Sequence, residues 1–176
     1  MEKIIIGIDP GEKGFVAVIK PNGNIDFLSL AESNNVQLSS FLDNILREAA
    51  CYDWGCIGVM EEVHAVFNSS AKSTFRFGSV FGFLQGIFVG KGIPYHLVQP
   101  KEWQKTIWIN ADMVYESKTD CNGKTKRVVA TKKCSMNAAI RLFPRVDFRK
   151  NAKCRNMDDN KVDSLLIAEF ARRKNL

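Results

Sequence analysis

Apolar positions alternate or run together in three short blocks at 3–9, 14–20 and 25–30, separated by the polar turns PGEKG and PNGN. Blocks of this length bounded by Gly, Pro and Asn are the pattern of strands, and Asn22-Gly23 is a tight-turn signal, so three successive antiparallel strands are predicted. After ESNN, a run rich in N-cap residues, Leu38, Phe41, Leu42, Ile45, Leu46 and Ala49 recur at helical spacing and predict a helix with one apolar face. GCIGVMEEVH reads as a fourth strand, central and parallel to the first. IPYHLVQP reads as a fifth strand and KEWQKTIW as a short helix. The stretch 109–130 is polar and basic and reads as a loop; helices follow from about 131 to 143, stopping at Pro144, and from about 159 to 174.

Between the fourth and fifth strands, Ser73 to Val89 is rich in aromatic residues and carries Gly78, Gly82 and Gly86, four residues apart and so on one helical face. Each glycine weakens a helix by about 1 kcal/mol relative to alanine, so three on one side imply the close approach of another backbone. Either the domain's own sheet or a second protomer fits that description.

The order of elements is that of one α/β domain spanning 1–176, and 176 residues, 45% of them hydrophobic, suffice for a sizeable core. No apolar run approaches the roughly 20 residues that span a bilayer, and MEKIIIG does not start a signal peptide, so a soluble, intracellular protein with no membrane partner is expected. Five cysteines (Cys51, Cys56, Cys121, Cys134 and Cys154) contain no C-x-x-C pair and read as free thiols; a zinc site from the last three has no ligand spacing to favour it. The net charge of +6 is unevenly spread. Residues 1–100 hold 7 Lys and Arg against 10 Asp and Glu, a net of −3, and residues 101–176 hold 18 against 9, a net of +9. A basic second half points to an acidic polymer, nucleic acid above all, although a merely solvated basic face reads the same way.

The acids sharpen this picture. Asp9 ends the isoleucine-rich first strand, where an unpaired charge is most costly to bury. In the fourth strand Val59, Glu61 and Val63 share one face while Met60 and Glu62 share the other. In the last helix Asp159 and Asp163, at i and i+4, fall on the side of Leu166 and Phe170. N-capping accounts for Asp158 or Asp159 but not for Asp163, which lies inside the helix. Singly, each acid has an ordinary explanation in a turn, an edge or an ion pair. Together, four carboxylates on a first strand, a fourth strand and a last helix need something to hold them near one another, and divalent cations do this; a two-metal cluster is a common device for displacement at phosphate.

GIDPG at the end of the first strand, VMEEVH in the fourth, VQPKEWQK after the fifth, LFP ending a helix and DDNKVDSLLIAEFARR near the C-terminus resemble, in that order, the RuvC family of Holliday-junction resolvases, especially its short phage-type members. The resemblance implies a ribonuclease H-like fold with a five-stranded mixed sheet and helices on both faces. It implies a homodimer that uses Mg²⁺, with Mn²⁺ as a substitute, to cut four-way or other branched DNA in recombination and repair, and a viral or phage origin fits it. The implied products are a 5′-phosphate and a 3′-hydroxyl. Carried over by position, the catalytic and metal-binding acids are Asp9, Glu61, Asp159 and Asp163, with Glu62 replacing Glu61 if the register slips by one, and Asp158 as an auxiliary. Lys105 stands one residue past the family's usual lysine position, which holds Gln104. Lys132 and Lys133 match a second basic position loosely, and all three lysines are expected to contact DNA. Phe67 and the aromatics at Phe75–Phe77 are placed to stack on an unpaired base or to pack in the core. Two other readings remain: another ribonuclease H-like nuclease acting on RNA or RNA–DNA hybrid, and a non-catalytic DNA-binding module or ATPase fragment.

Overall fold

The computed structural model describes residues 2–62, 70–119 and 123–176. Strands β1 (Lys3–Asp9), β2 (Phe15–Ile19), β3 (Ile25–Ser29), β4 (Gly55–Glu61) and β5 (Tyr95–Val98) form one mixed sheet in the order β3-β2-β1-β4-β5. β1, β2 and β3 are an antiparallel meander, while β4 and β5 run parallel to β1. The meander turns where expected, with Gly23 at φ +84° and the Asn22 side chain accepting from the Asn24 amide at 3.0 Å. β1 is flanked on both edges and covered on both faces, which explains why it is written almost entirely in isoleucine.

Helices cover both sides of the sheet. On one face α1 (Asn35–Tyr52) and α2 (Ala71–Gly90) bury Leu42, Ile45, Leu84 and Phe88 against Ile4, Ile6, Ile8, Val16 and Met60. α1 starts in a capping box, Asn34 and Gln37 each accepting from the other's amide. On the other face α3 (Pro100–Ile107), α4 (Thr131–Leu142) and α5 (Asp159–Lys174) pack on Ile5, Ala17, Ile19, Val59 and Val98. α5 lies directly across β1 and β2. Its approach is set by Gly7, where any Cβ would stand 2.3 Å from the Ser164 carbonyl oxygen and 2.5 Å from the Ala168 amide nitrogen. Only hydrogen fits there, so a glycine in the middle of a buried strand brings the last helix into backbone contact with the first strand.

Two expectations need correction. The polar stretch after α3 is not wholly loop. A 3₁₀ turn (Asn110–Asp112) is followed by β6 (Tyr115–Thr119) and β7 (Thr125–Val129), an antiparallel pair separate from the main sheet. Nor do the α2 glycines meet the domain's own sheet, because a Cβ at Gly78, Gly82 or Gly86 would meet no atom of the described residues within 4 Å. Leu84 and Phe88 carry that contact instead, and the Phe88 ring lies on Gly58. The predicted fourth strand ends at Glu61; Val63, His64, Phe67 and Cys121 lie outside the described residues.

Candidate active site

Register places two acids side by side. Gly7 of β1 is level with Val59 of β4, and two residues further along these parallel neighbours come Asp9 and Glu61. Side chains alternate, and Val59 belongs to the core under α5, so Glu61 and Asp9 point to that same face at the C-terminal ends of their strands. Glu62 lies just past the strand, its amide donating to the Val98 carbonyl. α5, seated on Gly7, supplies the other pair: Asp159 in its first turn and Asp163 one turn on. Asp158 is the N-cap, accepting from the amides of Asn160 and Lys161 at 3.0 and 3.2 Å.

The four carboxylates feel one another. Burial pushes the Asp9 carboxyl well above its ordinary range, and the charges of Asp163, Glu61, Asp159 and Asp158 push it further the same way. Burial raises Asp163 to about 7, against a hydrogen bond from Ser135, with Glu61 and Asp159 adding to the rise. Glu61 is raised by burial too, opposed by the indole of Trp103, whose Nε1 donates to Glu61 Oε1 at 2.9 Å. Near neutral pH and without a cation, this cluster therefore holds protons that carboxylates in water would have lost.

The partners of each acid show what the cluster lacks. Asp159 is ion-paired with Lys132 at the start of α4, and the charges of Asp159, Asp163 and Asp158 hold the Lys132 ammonium above its usual value. Asp163 keeps one oxygen, Oδ1, buried with no hydrogen-bond partner. An orphaned buried carboxylate oxygen costs on the order of 1–3 kcal/mol, more if charged, and persists where another ligand completes it. Among the described residues no three acidic, imidazole or thiolate groups stand close enough together to hold a metal as they are. Trp103 is hydrogen-bonded to Glu61 and Lys132 is ion-paired with Asp159, so these two of the four acids have partners within the protein. An all-oxygen set with one unpartnered oxygen suits a hard divalent cation.

The three predicted basic positions separate. Lys132 touches the cluster; Lys133 is ion-paired with Glu116 of β6 at 2.7 Å. Lys105 is exposed on the side of α3 opposite the buried Trp103 and Ile107. Phe75 is 76% exposed at the start of α2, whereas Phe77 is half-buried and its ring faces Gly11. Three contributors escaped the sequence reading: Gly7, Trp103 as the donor to Glu61, and Ser135 as the donor to Asp163. Of these only Gly7 had a local signal, a glycine inside an apolar strand.

No family model matches the chain, and no curated protein matches it in sequence. Solved structures do match in fold. Thermus thermophilus RuvC in complex with a Holliday junction substrate superposes with a TM-score of 0.51 and 13% identity, over 98% of this chain and 96% of that one. A second structure of T. thermophilus RuvC gives 0.51 and 15% identity over the same shares. The yeast mitochondrial Holliday junction resolvase Ydc2 gives 0.51 and 16%, over 96% of this chain and 77% of that one. The chain thus has the ribonuclease H-like fold of RuvC, as the sequence resemblance led us to expect.

Proposed function

We propose that this protein is a divalent-cation-dependent endonuclease that cuts branched DNA, four-way junctions foremost. The observation that carries the reading is the partly buried cluster of Asp9, Glu61, Asp159 and Asp163, from β1, β4 and α5, with Asp163 Oδ1 left without a partner. The net +9 of residues 101–176 supports a polyanionic substrate, and the likeness in fold to a RuvC bound to a Holliday junction supports its shape.

Asp9, Glu61, Asp159 and Asp163 would hold Mg²⁺ or Mn²⁺, which would supply Lewis acidity at the scissile phosphate and a more acidic water. The chain's own groups prepare the place. The Trp103 indole and the Ser135 hydroxyl orient Glu61 and Asp163. Asp9 and Asp163, whose carboxyls are raised, would hold the cation in their ionised forms, and Lys132, at the edge of the cluster, would be placed to meet a phosphate oxygen. The bond broken is P–O3′, which leaves a 5′-phosphate and a 3′-hydroxyl.

Cutting two opposed strands requires two sites related by symmetry. The open space beyond Gly78, Gly82 and Gly86 supports a second copy of the chain against α2, as does the neighbouring groove of about 500 Å³ lined by Val36, Ser40, Phe83 and Ile87.

Incubation with synthetic four-way junctions, linear duplex and RNA–DNA hybrid, with and without Mg²⁺, tests the reading. We expect paired, symmetric nicks in the junction only when Mg²⁺ is present. Preferential cutting of the hybrid, or junction cutting in a chelator, would overturn it.

A further inference from the structure

The hairpin of β6 and β7 is bonded to no other strand and is exposed along most of its length. Its register sets Lys118 directly opposite Lys126 and Ser117 opposite Arg127. Alternation then puts Glu116, Lys118, Lys126 and Val128 on one face, and Tyr115, Ser117, Arg127 and Val129 on the other. Like charges directly opposed across an antiparallel pair are destabilising, and a lone two-stranded ribbon is marginal to begin with. Among the described residues no ion pair is formed by Lys126, and Lys118 only shares the attraction of Glu116, which is itself paired with Lys133. Arg127, by contrast, is held over the Tyr115 ring at 4.2 Å on the opposite face.

The lysine face leads back to the carboxylates. Glu116, on the same face, is ion-paired with Lys133, and the adjacent Lys132 is paired with Asp159. At about 3.4 Å per residue, Lys118 and Lys126 stand roughly 7 Å beyond Glu116. A line of cations thus runs from the edge of the cluster outward along one side of the hairpin.

We propose that the Lys118–Lys126 face of the hairpin is a track for the sugar–phosphate backbone of the DNA arm adjoining the cut strand. The inference rests on the nuclease reading above and adds to it the element that grips the substrate outside the catalytic cluster. A phosphate seated between the two lysines removes the repulsion that the register imposes. The contact is to backbone, so it positions the arm without reading its sequence.

Junction binding measured by titration in EDTA, across a series of salt concentrations, tests this. The Lys118→Gln/Lys126→Gln double variant should bind roughly tenfold more weakly near physiological salt. Its slope of log affinity against log salt should be shallower than wild type by about 2, close to one for each phosphate that a lysine no longer neutralises. It should also melt at or above the wild-type temperature, because a repulsion has been removed, so weaker binding is not loss of fold. Arg127→Gln removes one charge from the opposite face and should change the slope far less. An unchanged slope in the double variant overturns the inference, as does an equal loss per charge in Arg127→Gln. A wild-type protein that binds no DNA at any salt overturns the nuclease reading itself, and that result is distinct from the other two.

Discussion

Two acids set into one helix, Glu169 buried and Asp163 partly so, have opposite fates. Glu169, 1% exposed near the end of α5, is met by Arg172 Nε at 2.6 Å and Arg173 Nε at 2.9 Å. Asp163, fewer than two turns earlier, keeps one oxygen unpartnered and has its carboxyl pushed up to about 7. The helix supplies its own cations to Glu169 from i+3 and i+4, the spacing that puts side chains on one face. Asp163 is given other acids for neighbours instead. A buried carboxylate satisfied from within is architecture; one left with an unpartnered oxygen near other acids is what the proposed cation site would complete.

Activity should split this pair most widely. Asp163→Asn should lower Mg²⁺-dependent junction cleavage by roughly 10³-fold or more while leaving junction binding in EDTA nearly intact, since it removes a ligand and not a DNA contact. Glu169→Gln should stay within a few-fold of wild type. Gel assays of both variants decide it, and a cleaving Asp163→Asn enzyme would erase the distinction.

Stability should split them in opposite directions and by less. Without metal, Glu169→Gln should be destabilised by about 1–3 kcal/mol, because it leaves two arginines short of their partner although both reach solvent. Asp163→Asn should be as stable as wild type or more so, because it removes repulsion within the cluster. Urea denaturation near pH 7.5 measures both.

A further contrast is expected in pH dependence. The folded value of about 7 for Asp163 lies above its ordinary 3.8, so between these limits the folded protein binds more protons than the unfolded chain. The metal-free protein should therefore lose stability as pH rises from about 4 to about 7, by an amount on the order of a few kcal/mol, and the raised Asp9 carboxyl adds to the loss. Asp163→Asn should flatten that slope, whereas Glu169→Gln should leave it. Thermal melts across this range in EDTA, compared with melts in Mg²⁺, make the contrast visible.

The same contrast marks what the sequence made legible. Strands β1 to β5 and α5 show as short apolar runs or helical spacing bounded by turn and cap residues, whereas the grouping of Asp9, Glu61, Asp159 and Asp163 into one site comes from the resemblance to RuvC. The hairpin was missed because YESKT and TKRVV have no buried face to write in apolar residues, so their pairing leaves no hydrophobic period. Glycine spacing on α2 announced a close neighbour without saying which, since a residue with no side chain carries no pattern of its partner. The bonds from Trp103, Ser135 and Lys132 to the acids join positions far apart in the chain, and nothing local encodes them.

The hydrogen-sized gap at Gly7 has a consequence in time. The site needs β1 and α5, which lie at opposite ends of the sequence, so its closure is among the most non-local events in folding and carries a large loop-closure entropy. A chain made from its N-terminus at about 5–20 residues per second waits roughly 8–30 s after Asp9 emerges before Asp163 can join it. Throughout that interval β1 waits without the helix that packs on Gly7, and Asp9 meets Asp163 only when that helix docks.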